Sequence, residues 1–276
     1  MSKLYLVGTP IGNLGDFSSR AIQTLGMVDF IAAEDTRVTI KLLNRFGITT
    51  PMVSYYQHNL RERGEQIVSR IAAGESCALV TDAGMPAISD PGEDLVRLCA
   101  EAGIEIVSVP GPSAAITALS LSGLATSRFT FEGFLSVNRQ SRREHLSSLK
   151  EEKRTMVFYE APHKLRTTLD DLCAVFGQDR PIALGRELTK LHEEVIRTTL
   201  GEAVARYADA DSPRGEFVLV VAGAPSQAKA PPTLTEALAL ARSLTAQGQS
   251  ASLAAKQAAA QTGCKKSDIY RLLITE

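Results

Sequence analysis

The chain has 276 residues, 44% hydrophobic and 22% charged, and its 30 lysines and arginines against 31 aspartates and glutamates leave a net charge of −1. That composition suits a globular protein with a sizeable core and excludes a disordered or collagen-like chain. The charge balance argues against a protein that coats nucleic acid non-specifically, although not against a local basic patch, and no apolar run approaches the ~20 residues that cross a bilayer.

Residues 4–7 read as a strand, followed by a turn-rich stretch from Gly8 to Asp16, after which Ser18 or Ser19 can cap a helix to about Leu25. A strand over 30–33 runs into Glu34, Asp35, Thr36 and Arg37, and a helix over 41–46 stops at Gly47. A helix over 61–73, a strand over 77–81, a helix over 93–102 and a strand over 104–109 continue the alternation. Asp90, Pro91, Gly92 and Glu93 are spaced as a helix start, with Asp90 as the cap. Such alternation predicts βαβ units and a mostly parallel sheet, an N-terminal α/β domain over 1–120.

Strands then outnumber helices. Residues 129–135, 155–159, 182–188, 195–200 and 217–222 are strand-like, with helices over 142–149, 164–176 and 202–207 between them. A second α+β domain with a mixed sheet is expected over 121–224. Alanine, proline and serine dominate 224–232 in the manner of a linker, so 225–276 reads as a linker and a small helical domain. Its helices are predicted over 234–245, 252–262 and 267–274, broken at Gly248 and Gly263. The first residues enter a strand directly, so no signal or transit peptide is expected. Cys77, Cys99, Cys173 and Cys264 are far apart and form no CxxC pair, which points away from zinc or a disulfide framework and toward a reducing cytoplasm.

Ligands of an open parallel sheet bind beyond the carboxyl ends of its strands. Three such ends carry glycine- and proline-rich loops: Gly8 to Asp16, Asp82 to Gly92, and Pro110 to Ala115. Glycine permits close backbone approach and proline fixes the turn, as in a rigid cleft; tight βα turns alone would have the same composition. The first loop is not GxGxxG and no glycine loop leads into GK[ST], so neither a dinucleotide nor a nucleotide triphosphate is supported. An adenosine-bearing ligand without phosphates fits better, and S-adenosylmethionine is one, its sulfonium favouring carbonyls and carboxylates.

Glu160 to Lys164 and Gly185 to Lys190 place acids, bases and an arginine at neighbouring strand ends, either to hold an anionic substrate or as ion pairs. Arg139, Arg142 and Arg143 suit a phosphate-contacting loop or a solvated helix start. Beyond residue 225, Lys265, Lys266 and four other basic residues outnumber Glu236, Asp268 and Glu276, a bias suited to an accessory nucleic-acid contact.

Long ordered strings carry a resemblance across the whole chain: LYLVGTPIGNLGD (4–16), AAEDTR (32–37), TDAGMPAISDPG (81–92), PGPSA (110–114), FEGFL (131–135), VFYEAPHKL (157–165), GRELTKLHEE (185–194), RGEFVLVVAG (214–223) and GCKKSDIYRLL (263–273). The chain resembles the tetrapyrrole-methylase superfamily, and within it the branch that methylates a cytidine ribose 2′-oxygen of 16S rRNA near the decoding centre. The resemblance implies an α/β fold of two α/β domains with the cofactor cleft between them, here with a small C-terminal helical domain. It implies S-adenosylmethionine held by Pro10, Asp82, Ala83, Gly84, Met85, Ser113 and Ala114, and a homodimer. The stretch from Thr9 to Gly15 departs from the loop of the porphyrinoid enzymes, which favours the RNA branch.

On that reading a ribose hydroxyl attacks the methyl group in line, with orientation supplying most of the rate. Glu34, Asp35, Glu160 and Glu187 are candidate proton acceptors, and Arg37, Arg186 or Lys190 candidate phosphate holders. Arg139, Arg142, Arg143, Lys190, Lys265 and Lys266 are candidate RNA contacts. The near-neutral chain predicts a weak salt slope on naked RNA, so an assembled small subunit is the expected substrate. A tetrapyrrole methyltransferase and an inactive ribosome-binding module are the alternatives.

Overall fold

A computed structural model describes residues 2–56, 60–208, 213–225 and 232–275. Met1–Ala224 form one compact unit and Pro225–Glu276 another.

The first unit holds two sheets. In the first, β1 (Lys3–Val7), β2 (Phe30–Ala33), β3 (Met52–Ser54), β4 (Cys77–Val80) and β5 (Glu105–Val109) are all parallel, in the order β3-β2-β4-β1-β5. Every residue of β2 and β4 is buried. This explains why these strands are unbroken apolar runs rather than alternating ones, as expected of a sheet covered on both faces. One face packs Ile31, Ala78 and Val80 against α1 (Ser19–Met27) and α2 (Thr36–Arg45). The other packs Phe30, Cys77 and Leu79 against α3 (Leu60–Ala72) and α4 (Glu93–Glu101). The chain leaves β1 toward β2 on one side and leaves β4 toward β5 on the other, so a crevice opens beyond the ends of these adjacent strands.

Helix α5 (Ala114–Leu121) follows β5 but buries Ala115, Ala118 and Leu119 against Val157, Ala183 and Val220 of the second sheet, coupling the two sheets. That second sheet comprises β6 (Phe129–Phe134), β7 (Thr155–Glu160), β8 (Pro181–Arg186), β9 (Glu194–Thr199) and β10 (Phe217–Val221), in the order β6-β7-β10-β8-β9. Only β6 and β7 run parallel; the other pairs are antiparallel. Helices α6 (Arg139–Ser148), α7 (Leu165–Phe176) and α8 (Leu200–Tyr207) cover the opposite face through Leu146, Leu172 and Ala203.

The architecture is the expected one, with informative local differences. Strand β3 and helix α5 are additions to the predicted elements: β3 is three half-buried residues, and α5 is apolar nearly all round, so neither leaves a periodic signal. Helix α2 begins at Thr36 because Asp35 accepts the Arg37 backbone N–H. The predicted strand over 182–188 stops at Arg186, since Glu187 turns to φ +50. Asp90 is not a cap: Gly92, at φ +144, precedes α4 with no side-chain hydrogen bond, and Asp90 is left to face a cavity.

In the second unit α9 (Leu234–Ala246), α10 (Ala251–Thr262) and α11 (Lys266–Ile274) pack through Ala237, Ala241, Ala255, Ala258 and Ile269. Thr233 and Glu236 form a capping box on α9, and Gly263 at φ +74 ends α10 in the left-handed conformation. No helix among the described residues is long and apolar enough to cross a membrane.

Candidate cofactor and active site

Three loops of the first sheet are fastened to one another. The Gly8 N–H donates to the Val109 carbonyl at 3.1 Å, and Thr9 and Gly84 exchange backbone hydrogen bonds of 2.9 and 3.2 Å. The Thr9 hydroxyl donates to the Thr81 carbonyl at 3.1 Å. Glycine is required at the junction: a Cβ on Gly8 would lie 2.6 Å from the Gly111 Cα and 2.7 Å from the Met85 sulfur. Gly84, at φ +91, takes a turn that other residues rarely adopt.

Between these loops and the second sheet lies a cavity of about 510 Å³, within the range of sites that enclose a small organic ligand. Asp82, Ala83, Gly84, Met85, Ser113 and Ala114 all line it. Pro10 does not; its neighbour Ile11 takes that place. The second sheet contributes Phe134, Tyr159 and Glu160, with Tyr159 packed between the rings of Phe131 and Phe134 at 5.0 and 5.4 Å. The Tyr159 hydroxyl accepts the Ala115 N–H at 3.2 Å and bonds the Ser113 side chain, tying α5 to β7. Burial raises its pKa.

The cavity is acidic. Glu34, Asp82, Asp90, Glu160 and Glu216 line it, and no lysine, arginine or histidine is among the described lining residues. Glu34 accepts the Thr81 hydroxyl and, at 3.4 Å, the Asp82 N–H. Asp82 accepts the Asp35 N–H at 3.2 Å, and burial with the charge of Glu34 raises its pKa. Asp90, missed in the sequence because its spacing imitates a cap, is raised further, to about 6, by burial and then by Glu34. Its loop is strained: Ala87 and Ser89 sit at φ +68 and +65.

The other candidate residues are placed differently. Glu160 is buried, with its oxygens taken by the Thr168 hydroxyl and the Ala161 N–H. Asp35 pairs with Arg37 at 2.6 Å, and hydrogen bonds from that arginine hold its carboxyl down at about 2. Neither residue lines the cavity. Arg186 donates to the Arg214 carbonyl at 2.7 Å and lies 3.5 Å from Glu194. Glu187 accepts from Lys190 at 2.8 Å and from the Glu216 N–H at 3.0 Å, which lowers its pKa. Lys190 also pairs with Glu216 at 2.9 Å, and its stem runs past Gly12, where a Cβ would lie 2.5 Å away.

Of the arginine run, Arg139 and Arg143 are exposed. Arg142 is buried, donating to Asp171 at 2.7 Å and to the Ser136 carbonyl at 3.1 Å, so it fastens the turn between β6 and α6. Lys265 and Lys266 are exposed at the start of α11.

The acid-lined cavity lies between two α/β sheets at a strand-order switch, the arrangement of a ligand-binding enzyme. The model of the Tetrapyrrole (Corrin/Porphyrin) Methylases matches residues 3–204, and the chain belongs to that family. It is 49% identical over 274 residues to the Ribosomal RNA small subunit methyltransferase I of Synechocystis sp., covering 99% of this chain and 97% of that one. To the protein of the same name in Escherichia coli O157:H7 it is 42% identical over 276 residues, covering 99% and 95%. Among solved structures, a uroporphyrin-III-C-methyltransferase from Thermus thermophilus aligns with a TM-score of 0.56 at 19% identity, over 80% of this chain and 94% of that one. A cobalt precorrin-4 methyltransferase of cobalamin biosynthesis aligns at 0.59 with 18% identity, over 79% and 94%. At those identities the likeness is one of fold.

Proposed function

We propose that the chain transfers a methyl group from S-adenosylmethionine to the ribose 2′-hydroxyl of a cytidine in 16S rRNA, acting as a cytoplasmic homodimer on the assembled small ribosomal subunit. The observation that carries the reading is a cavity with five carboxylates and no basic residue among its described lining, in a chain nearly half identical to named rRNA methyltransferases over its full length.

The cavity suits the donor. When bound, S-adenosylmethionine supplies an electrophilic methyl on a positively charged sulfur. Glu34 and Asp82 offer negative charge to that ligand without an arginine or lysine in the lining to compete for them. The junction of Gly8, Gly84 and Gly111 fixes the loop backbones before binding, and such preorganisation limits the entropy lost on binding. Orientation of a hydroxyl against an activated methyl is worth ~7–11 kcal/mol, so a rigid cavity is most of the catalyst.

RNA is anionic, but a ribose is not. The cavity therefore has to admit only the sugar, while Arg37, Arg186, Lys190, Arg139 and Arg143 outside its lining are proposed to hold phosphates. A tetrapyrrole precursor bearing several carboxylates would instead meet Glu160, Asp90 and Glu216, with no cation among the described lining residues to receive it. The test is tritiated methyl transfer to undermethylated small subunits, beside free rRNA and a tetrapyrrole precursor. Label in RNA that leaves one position resistant to alkaline cleavage is the expected result; label in the tetrapyrrole alone would overturn the substrate.

A further inference from the structure

Among the acids of the site, Asp90 is distinct. Asp35 is engaged by Arg37 and Glu187 by Lys190, and both carboxyls are lowered by those hydrogen bonds, which makes them poor proton acceptors. Glu160 has both oxygens occupied within its own strand end and α7. Asp90 faces the cavity from a loop held in a left-handed turn at Ser89.

Its surroundings are one-sided. Glu34 faces it from the end of β2, Asp82 from beyond β4, and Tyr159 from β7. The Thr81 hydroxyl donates to Glu34, and its contact with Asp90 lowers that carboxyl's pKa by less than burial and Glu34 raise it. Burial first, and the charge of Glu34 second, bring the Asp90 carboxyl to about 6, ionised but still basic at neutral pH.

We propose that Asp90 is the proton acceptor for the ribose hydroxyl, with Glu34 and Thr81 as positioning residues; the proposal rests on the reading of the chain as a 2′-O-methyltransferase. As the hydroxyl oxygen bonds to the methyl carbon, the carbon–sulfur bond breaks and its electron pair stays on sulfur. The O–H bond breaks as well, and its proton passes to an Asp90 oxygen and then to water. The products are a methyl ether, a neutral thioether and one released proton.

The test uses the full chain with undermethylated small subunits, measuring kcat and KM across pH about 5 to 9 and the Kd for S-adenosylmethionine by calorimetry. The parent should lose activity on the acid side near pH about 6. Asp90→Asn should lower kcat by about 10²–10⁴-fold, abolish the acid limb and leave the Kd unchanged. Asp90→Glu should restore part of kcat together with the limb, and Glu34→Gln should move the limb to lower pH. An Asp90→Asn enzyme with parental kcat, or one whose loss lies only in KM and Kd, overturns the proposal. Should that variant fail to fold, an acid limb unmoved in Glu34→Gln overturns it instead. A parent that binds the donor but methylates no RNA brings down the functional reading and this proposal together, whereas a working parent beside a fully active Asp90→Asn brings down the proposal alone.

Discussion

The two sheets of the first unit divide the work of the site unequally. The parallel sheet brings backbone and charge: its loops after β1, β4 and β5 meet at glycines, and Glu34, Asp82 and Asp90 all stand beyond its strand ends. The mixed sheet brings mainly shape: Tyr159, Phe134, Leu188 and Phe217 form the opposite wall beside Glu160 and Glu216, and its cations Lys190 and Arg186 are not among the described lining residues. A parallel sheet aims all its strand ends at one edge, so charged loops gather there. Antiparallel neighbours alternate direction, and the mixed sheet has fewer loops to spend on chemistry.

Two glycines give the strongest way to break this contrast. A Cβ at Gly223, just past β10, would sit 2.0 Å from the Lys153 carbonyl oxygen and 2.3 Å from its carbon, both backbone atoms. Gly223→Ala should exceed the usual ~1–3 kcal/mol of overpacking and compromise folding, seen as a collapse of the thermal transition. Gly8→Ala, clashing at 2.6 Å with Gly111, should cost about 1–3 kcal/mol while reducing affinity for S-adenosylmethionine at least tenfold. A Gly8→Ala protein that unfolds early but binds as the parent does would make that junction purely structural.

Much of this division was legible in the sequence, for physical reasons. The fully buried β2 and β4 left unbroken apolar runs, and the loops after β1, β4 and β5 carried Gly and Pro where the backbone must turn tightly. What escaped was set by tertiary contacts. Helix α5 is apolar on nearly every side, and only the fold shows that Ala115, Ala118 and Leu119 pack on the second sheet. Asp90 carries every local sign of a helix cap and becomes a cavity residue only because Gly92 takes φ +144 and starts α4 itself. Arg142 is one of three arginines that the sequence leaves equivalent; only the fold reveals that Asp171 claims it.

The arginines offer a sharper test of structure against recognition. Arg142 and Asp171 are 8% and 6% exposed, so removing the arginine strands a buried carboxylate with only the half-exposed Arg143 at 3.2 Å. Arg142→Met should cost about 3 kcal/mol in chemical denaturation, against at most about 1 kcal/mol for Arg143→Ala. Equal losses would mean that Asp171 is served by both guanidinia alike.

Asp90 should also register in stability. Its folded-state pKa, at about 6, lies above the ordinary 3.8, so the native state binds the proton more tightly than the unfolded chain does. The burden of ionising it is therefore absent in acid, grows as pH rises from 3.8 to about 6 and stays constant above. Asp90→Asn should be more stable than the parent above that window by roughly 1 kcal/mol, after allowance for solvent at a partly exposed group. The difference should close on acidification, and a gap independent of pH would mean that the carboxyl titrates normally.

The smallest effect concerns the basic residues outside the cavity, where each phosphate contact adds to affinity and to salt dependence together. Removing one contact lowers the slope of log affinity against log salt by about 0.7 on single-stranded RNA and about 0.9 on a duplex. Arg143→Ala should therefore flatten the slope by about one such contact, and Lys265→Ala with Lys266→Ala by about two, with methyl transfer at saturating substrate unchanged. Lys266 also bonds the Ser252 hydroxyl at 3.3 Å, so the thermal stability of the double variant has to be followed beside its binding. A parental slope in a stably folded double variant would remove the C-terminal helices from RNA recognition and leave it to the edges of the two sheets. A slope flattened only in that variant would assign recognition to the helices and leave Arg143 as a second partner of Asp171.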